Sequence, residues 1–287
     1  MTRSPQCDVS CAHLAGLHDT SWRLRRTILD LAYSVDKVHL GSSFSSAELM
    51  TVLYHHEIRR DGDQLLDYLV TSARSVLTYA ILADLGLLEA DALTTLGQWG
   101  TPLDYERVPG LVHMPFGPLG HSLSFACGIA QGLRRRGRPG LVYCLLGDGE
   151  LDEGSIWEAA MTASHRNLDN VIAVVDRNGF QLSGPTEDVK ALGQVEGKFG
   201  AFGWRCFSTD GHSVPALVDA FGELRRATGR PKLLVARTTK GFGVSFMESQ
   251  RSYHSTGIGE AEYRSAGAEL ARRAQASAPA SSGDGPS

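Results

Sequence analysis

Two short apolar runs, residues 141–146 and 171–175, each end at a polar loop that contains glycine. The first run leads into GDG at residues 147–149, and the second leads into DRNG at residues 176–179. Apolar runs of this length, bounded by such loops, are typical of strands buried on both faces of a sheet. Helical patterns of ten or more residues alternate with them, which indicates right-handed βαβ units. The sequence therefore predicts an α/β fold with a mostly parallel sheet and helices on both faces.

The spacing of apolar residues and the positions of Gly and Pro predict the other elements. Helices are expected near 22–35, 45–55, 76–85, 119–136, 155–165, 214–227 and 260–273, and strands near 68–71, 141–146, 171–175, 203–207 and 232–238. Two Ser-x-x-Glu sequences, at 45–48 and 155–158, predict capping boxes at two helix starts. Residues 39–43 are expected to form a loop, and the Gly- and Pro-rich residues 98–119 a longer one that is functional or disordered.

The same patterns predict the domain organisation. Residues 1–18 show no clear period and are expected to be an N-terminal arm. Residues 19–273 are expected to form one domain, and the Ala-, Ser-, Gly- and Pro-rich residues 274–287 a disordered tail.

Composition argues against several classes of protein. A net charge of −4 disfavours nucleic-acid binding, which needs a basic face. No apolar stretch reaches the ~18 residues of a membrane span. The N-terminus has no charged-then-apolar signal pattern, so we expect a cytoplasmic protein with no membrane partner. Five cysteines without a CxxC pair favour reduced thiols over disulfides or a zinc site.

The two glycine-bearing loops predict a site for a metal and a phosphate group. Ligands of open parallel sheets bind beyond the carboxyl ends of the strands, where both loops lie. A carboxylate, a side-chain amide and a backbone carbonyl form a hard oxygen site suited to Mg²⁺ or Ca²⁺. Glycines allow close approach to phosphate oxygens, and the helix expected to begin near Gly154 directs its positive end towards them. The alternative at this point is an ordinary strand–turn–helix with acidic capping.

The spacing of these motifs resembles that of a known family. GDG followed thirty residues later by Asn178 resembles the thiamine-diphosphate signature, and the longer run GDGELDEGSIWEAA with DRNGFQLSGPTEDV resembles the amino-terminal subunit of split transketolases. HLGSSFSSAEL at 39–49, GPLGHSLSFACGIA at 117–130 and KGFGVSFME at 240–248 resemble further segments of that family. The resemblance extends over about residues 22–270. It implies the diphosphate-binding (PP-type) domain of a thiamine-diphosphate enzyme.

The resemblance also implies the cofactors and the residues that bind them. Mg²⁺ or Ca²⁺ would be bound by the side chains of Asp148 and Asn178 and by the backbone oxygen of Phe180. Thiamine diphosphate would contact Gly147, Gly149, Glu150 and Asn178 at its diphosphate, and Gly117, Pro118 and Leu119 at its thiazolium.

The catalytic residues implied by the resemblance are three. His39 and His254 would transfer protons at the reacting carbon and the sugar oxygens, although either could be a structural histidine. Glu153 would lie near the subunit interface, in a proton network that links paired active sites.

The family places the glutamate that activates the aminopyrimidine ring in a second, pyrimidine-binding domain. The implied partner is therefore a carboxyl-terminal transketolase-like subunit in an α2β2 assembly, and this chain alone should be inactive. The implied reaction transfers a two-carbon ketol unit from a ketose or ketose-phosphate donor to an aldehyde.

Two family features are absent from the sequence. SARS at 72–75 replaces a segment like SKGH, and residues 103–108 lack the histidine of a GHP segment. Arg74 could replace the first histidine, because guanidinium binds phosphate well. His113 and Asp152 have no assigned role.

These absences favour a specialised reaction in a biosynthetic pathway. Three alternatives stay open: a subunit of a 2-oxo-acid decarboxylase or carboligase, a non-catalytic partner-binding subunit, and a metal-dependent nucleotide-binding module.

Overall fold

The computed structural model describes residues 9–35, 38–61, 64–96, 98 and 119–277. Most of the loop predicted at 98–119 lies outside these residues, and so do Gly117, Pro118 and His113.

The described residues form seven strands and ten α-helices, with short 3₁₀ and π turns between them. The strands are β1 Arg60–Asp61, β2 Gln64–Leu65, β3 Tyr68–Thr71, β4 Val142–Gly147, β5 Val171–Arg177, β6 Arg205–Asp210 and β7 Lys232–Arg237. The helices are α1 Cys11–Ser34, α2 Leu40–Ser45, α3 Ala47–Val52, α4 Ser75–Asp84, α5 Ser122–Arg135, α6 Gly154–His165, α7 Thr186–Val189, α8 Val195–Ala201, α9 Val214–Arg226 and α10 Glu260–Ser277. None of the described helices is long and apolar enough to cross a membrane.

Five of the strands form one sheet in the order β3-β4-β5-β7-β6, and every neighbouring pair in it is parallel. In the β4–β5 pair, Gly147 is the register partner of Asp176. The two glycine-bearing loops therefore leave the same edge of the sheet side by side. The predicted fold class is confirmed.

Both faces of the sheet are covered, which is why residues 142–146 of β4 and 171–175 of β5 are continuously apolar rather than alternating. On one face, Tyr143 and Leu145 pack in a core that includes residues of α1, α4 and α9. On the other face, Cys144 and Leu146 pack against residues of α5, α6 and α8. The four described cysteines are free thiols.

The first and last helices extend past the ends predicted for them. Helix α1 begins at Cys11, inside the predicted arm, and the side chain of Ser10 caps it by accepting from the backbone N–H of His13 at 3.2 Å. The buried Leu17 ties this first part of α1 to the core. Helix α10 continues to Ser277, four residues into the predicted tail, because helical hydrogen bonding continues where the apolar pattern ends.

The predicted loop at 39–43 is wrong, and so are both capping boxes. Residues 40–45 form α2, whose Leu40 is fully buried. Ser45, the capping residue of the first motif, is the last residue of α2, and its hydroxyl lies 3.0 Å from the carbonyl of Ser42 instead of capping α3. Helix α6 begins before Ser155, whose hydroxyl donates to the carbonyl of Gly120 at 2.8 Å. In both motifs the serine hydroxyl donates to a backbone carbonyl instead of accepting from an N–H at the start of the helix.

A buried ion pair connects α1 to α3. Arg25 donates two hydrogen bonds to the Glu48 carboxylate, each of 2.6 Å, and two more to the carbonyl of Phe44, at 2.7 and 3.2 Å. Both charged side chains are almost completely buried. Burial opposes ionisation of Glu48, yet the Arg25 charge and the contact with His212 together lower its pKa to about 2. The pair is therefore charged at neutral pH and mutually dependent.

We predict that Glu48→Gln lowers the free energy of unfolding by about 3–5 kcal/mol, because the change leaves the Arg25 guanidinium buried without its counter-ion. Urea denaturation measures the change. Glu260→Gln is the matched control: it removes the carboxylate of an exposed ion pair with Arg264, and the expected change is below about 0.5 kcal/mol. Equal effects of the two substitutions would contradict the argument.

Candidate functional site

A cavity of about 400 Å³ opens at the carboxyl edge of the sheet, above β4 and β5. Its walls come from segments far apart in the sequence, and they include His39, Arg74, Gly147, Asp148, Asn178 and Lys240. Gly149, Glu150, Phe180, Leu119 and His254 line it as well. The structure thus brings together every described residue predicted for the site except Glu153.

Asp148, directly after β4, is buried at the floor of this cavity. Its Oδ2 accepts from the backbone N–H of Gly179 at 2.6 Å and from the hydroxyl of Thr186 at 3.2 Å. Its Oδ1 has no hydrogen-bond partner in the described part of the chain, although Arg177 lies beside it. Burial raises the pKa of Asp148 above its ordinary value, against the opposing charge of Arg177. One oxygen is therefore held by two hydrogen bonds, and the other faces the Arg177 guanidinium at 2.9 Å.

Asn178, directly after β5, is oriented by Asp176, which lies two positions earlier within that strand. The Asn178 Nδ2 donates to Asp176 Oδ2 at 3.0 Å, which turns the amide oxygen away from Asp176. That oxygen accepts from the backbone N–H of Phe180 at 3.0 Å and retains a second lone pair.

Asp176 is fully buried and also accepts hydrogen bonds from three other segments. Its partners are the hydroxyl of Ser45 at 2.8 Å, the guanidinium of Arg74 at 2.7 Å and the hydroxyl of Thr238 at 2.5 Å. It therefore aligns α2, the β3–α4 loop and the residues after β7 around one carboxylate. Sequence reasoning missed Asp176, although its place two residues before Asn178 at a strand end was a usable signal.

Glu150 joins the GDG loop to the start of α5. Its Oε1 accepts from the hydroxyls of Ser72 and Ser122 at 2.8 and 2.5 Å and from the backbone N–H of Gly120 at 3.2 Å. Its Oε2 is buried without a hydrogen-bond partner among the described residues, and burial raises the pKa of the carboxyl. Glu150 thus fixes the wall next to Leu119.

Arg74 reaches the cavity from the loop after β3, in a left-handed conformation with φ of 68°. This conformation is uncommon for a residue with a side chain and is tolerated where surrounding contacts hold it. Besides its pair with Asp176, Arg74 donates from Nε to the hydroxyl of Ser46 at 3.1 Å. A Cβ atom at Gly147 would lie 3.2 Å from Arg74 Nη2, so the glycine permits the guanidinium to approach the GDG loop.

Lys240 is a second buried cation of the cavity, at the start of the KGFGVSFME segment, and the sequence assigned it no role. Its ammonium contacts the His254 Nδ1 at 2.7 Å and donates to the carbonyl of Gln181 at 3.3 Å. Burial lowers the pKa of Lys240 to about 8. The His254 ring stands edge-on to that of His39, with 5.7 Å between their centroids. The two predicted histidines therefore share one wall with this lysine.

Two acids of the GDGELDEG run lie outside the cavity. Asp152 accepts from the Gln181 side chain at 2.7 Å and lies 3.8 Å from the Lys190 ammonium. It therefore holds the loop after Asn178 against the turn after β4. Glu153 is exposed at the start of α6. Among the described residues there is no group of three or more His, Cys, Asp or Glu side chains that could hold a metal, and the predicted ligand set contains only one such side chain.

Residues 22–277 match the family of the transketolase, thiamine diphosphate binding domain. The chain belongs to this family. It is 36% identical over 257 residues to the 6-deoxy-6-sulfo-D-fructose transketolase subunit SqwG of Clostridium sp. (strain MSTE9), over 86% of this chain and 93% of that subunit. It is 33% identical over 259 residues to one of the subunits of the apulose-4-phosphate transketolase of Phocaeicola vulgatus, over 87% of this chain and 92% of that relative.

The fold is also that of solved transketolases. The crystal structure of the Campylobacter jejuni transketolase matches with a TM-score of 0.81 at 24% identity, over 89% of this chain and 43% of that one. The chain therefore spans nearly all of the two related subunits but less than half of the longer enzyme. The resemblance to the amino-terminal subunit of split transketolases is confirmed.

We predict that Lys240→Met stabilises this transketolase-family domain by about 1–3 kcal/mol at pH 7, since burial disfavours the charged amine. The folded pKa, about 8, lies below the ordinary lysine value of 10.5. The buried Lys240 ammonium therefore lowers the free energy of unfolding by its full amount below pH 8, and this penalty disappears as the pH rises towards 10.5.

Urea denaturation at pH 7 and pH 9 measures this difference, and the advantage of the variant should be smaller at pH 9. The exposed Lys190 supplies the control, because Lys190→Met should change the free energy of unfolding by less than about 0.5 kcal/mol at either pH. If the stability advantage of Lys240→Met instead grows with pH, the lowered pKa of Lys240 is wrong.

Proposed function

We propose that this chain is the diphosphate- and metal-binding subunit of a two-component transketolase-like enzyme. The observation that carries the proposal is the buried Asp148, whose Oδ1 lacks a hydrogen-bond partner in the described chain and lies in the same cavity as the oriented amide of Asn178. Carboxylate and amide oxygens are the ligands that Mg²⁺ and Ca²⁺ prefer. With the carbonyl of Phe180 they would hold the cation and leave coordination positions for phosphate oxygens.

The residues present also fit a diphosphate. Arg74 and Lys240 bring two buried cations to the cavity, and Gly147 and Gly149 leave its wall free of side chains. Arg74 would bind the diphosphate in place of the family histidine, because a guanidinium forms charge-assisted hydrogen bonds with phosphate oxygens. The buried Glu150 would hold the adjoining wall, where Gly117 and Pro118, outside the described residues, would join Leu119 beside the thiazolium.

Thiamine diphosphate, when bound, supplies a nucleophilic carbon that takes a two-carbon ketol unit from a ketose and passes it to an aldehyde. The protein would orient the sugar and move protons at its oxygens. His39 and His254 are the groups for this role, since they line one wall of the cavity and an imidazole can give or accept a proton near neutral pH. Lys240 contacts the Nδ1 of His254 and would hold that ring in its orientation.

Exposed apolar side chains at and near the mouth of the cavity support the presence of a partner subunit. Leu182 and Leu119 line the cavity and are 64% and 44% exposed, and Phe125 and Met161 on α5 and α6 are nearly half exposed. Large exposed apolar side chains of this kind indicate an interface. The related chains are named as subunits, which supports a carboxyl-terminal transketolase-like partner carrying the pyrimidine domain, in an α2β2 assembly. Glu153, exposed at the start of α6, would face that partner.

The donor we propose is a ketose or ketose phosphate outside the usual pentose phosphates. The two relatives are named for apulose 4-phosphate and 6-deoxy-6-sulfo-D-fructose. The replacement of a family histidine by Arg74 changes a group that faces the cavity, which supports an altered reaction. A cytoplasmic location would suit such an enzyme.

We predict that Asp148→Asn abolishes the rise in melting temperature that Mg²⁺ with thiamine diphosphate produces in the native chain. Loss of the metal carboxylate should weaken binding by at least about 10–100-fold, the range found for losing even an outer-shell group. Calorimetric titration of thiamine diphosphate in excess Mg²⁺ gives the affinity.

Asp210→Asn is the matched control, because Asp210 also ends a parallel strand but its side chain accepts, among the described residues, only from the backbone N–H of His212. It should bind as the native chain does. If Asp148→Asn binds thiamine diphosphate with Mg²⁺ as tightly as the native chain does, Asp148 is not a metal ligand. Binding of Mg²⁺ with ATP in place of thiamine diphosphate would favour the nucleotide-binding alternative.

We predict that the chain alone has no transketolase activity and that the complex with the pyrimidine-domain subunit transfers ketol units from a ketose phosphate. A coupled assay over ketose phosphates and 2-oxo acids measures this. Asp148→Asn within the complex should abolish turnover and Asp210→Asn should not.

Activity that survives Asp148→Asn would indicate a non-catalytic subunit. Turnover of 2-oxo acids alone would indicate the decarboxylase alternative. Rapid turnover of ordinary pentose phosphates would count against a specialised donor.

A further inference from the structure

A cation lies beside Asp148 Oδ1, the oxygen that accepts no hydrogen bond within the described chain. Arg177, the last residue of β5, places its Nη1 2.9 Å from Asp148 Oδ1. Neither atom makes a hydrogen bond within the described chain, and both are buried. The contact is a buried ion pair between the two charged side chains.

The same guanidinium also pairs on its other side. Arg177 Nη2 donates to Glu187 Oε1 at 2.5 Å, on the short helix α7. Glu187 is half exposed, and its carboxylate also accepts from the backbone N–H of Gly193 at 3.3 Å. Arg177 thus lies between a buried carboxylate that faces the cavity and a carboxylate at the surface.

The position of Arg177 conflicts with a bound divalent cation. An ion bound to Asp148 Oδ1 would lie close to the Arg177 Nη1, and two positive centres at such a distance repel each other. The repulsion is weakly screened, because the Asp148 side chain is fully buried and that of Arg177 is only 17% exposed. Glu187 offers the guanidinium a pairing partner nearer the solvent.

We propose that Arg177 is a built-in competitor of the divalent cation at Asp148, and that Glu187 holds the guanidinium when the metal displaces it. This inference rests on the proposed function, because it requires the metal to bind at Asp148. In the metal-free protein Arg177 neutralises the buried carboxylate and stabilises the fold. By reciprocal linkage, the same contact lowers the affinity for the metal.

The competition predicts opposite effects of two substitutions. Arg177→Met removes the competitor and should lower the Mg²⁺ dissociation constant, measured at a fixed concentration of thiamine diphosphate, on the order of tenfold. Glu187→Gln removes the alternative partner, keeps the guanidinium at Asp148 and should raise that constant. A merely structural role of Arg177 would weaken metal binding in both variants.

Arg237→Met is the matched control. Arg237 ends β7, is the register partner of Arg177 and pairs with Glu196, but its side chain is 69% exposed. Its loss should leave the Mg²⁺ dissociation constant unchanged.

Calorimetry of the full chain with MgCl₂ gives these constants, and melting temperature gives a second measurement. In EDTA, Arg177→Met should melt at a lower temperature than the native chain, because Asp148 is left without a cation. Saturating Mg²⁺ with thiamine diphosphate should then raise its melting temperature by more than it raises that of the native chain.

The outcomes separate this inference from the proposed function. A native chain that does not respond to Mg²⁺ with thiamine diphosphate overturns both. A native chain that responds, together with Arg177→Met binding Mg²⁺ equally or more weakly, overturns the competitor and leaves the proposed function standing. If Arg177→Met does not fold, Arg177→Gln takes its place, and an Mg²⁺ dissociation constant that does not fall overturns the proposal.

Discussion

The parallel pairing of β4 with β5 is the contact on which the site depends. Because Gly147 is in register with Asp176, the two strands end together and their loops leave the sheet side by side. A slip of one residue in this register would exchange the side chains that pack in the two cores, so the close packing on both faces holds it in place. The distance between Asp148 and Asn178 is thus set by the core and not by the loops.

The cavity concentrates buried charge, and each charge depends on another. Asp176 is paired with Arg74, Glu150 has one oxygen fully hydrogen-bonded and one without a partner among the described residues, and Lys240 has a pKa lowered by burial. Buried charges contribute little net stability even when they are paired. Their collection at one edge of the sheet is the pattern expected where a protein trades stability for a binding site.

Membership of the transketolase thiamine-diphosphate family gives this pattern a chemical purpose. A bound diphosphate is strongly anionic, and the arrangement we propose meets it with a divalent cation, Arg74 and Lys240. Arg177 would then act on the metal alone, since it approaches Asp148 from the side of α7. One chain would supply the metal and diphosphate half of the active site, and its exposed leucines at the cavity mouth would meet the subunit that supplies the other half.

The sequence by itself determined the alternating fold and the sheet edge that bears the site, because apolar runs that end in glycine-bearing loops are short-range patterns. Most residues of the cavity came from the resemblance of its motifs to the transketolase family. It failed where a side chain chooses between a local and a distant partner. Ser155 bonds Gly120 rather than capping its helix, and Glu48 pairs with Arg25, 23 residues away in the chain.

Only the tertiary structure shows the partners of Asp176, Lys240 and Arg177. Each is a charged residue whose partners come from other segments. Hydrophobic periodicity reports whether a residue is buried but not which charge it meets, because electrostatic partners are selected by the packing of whole elements.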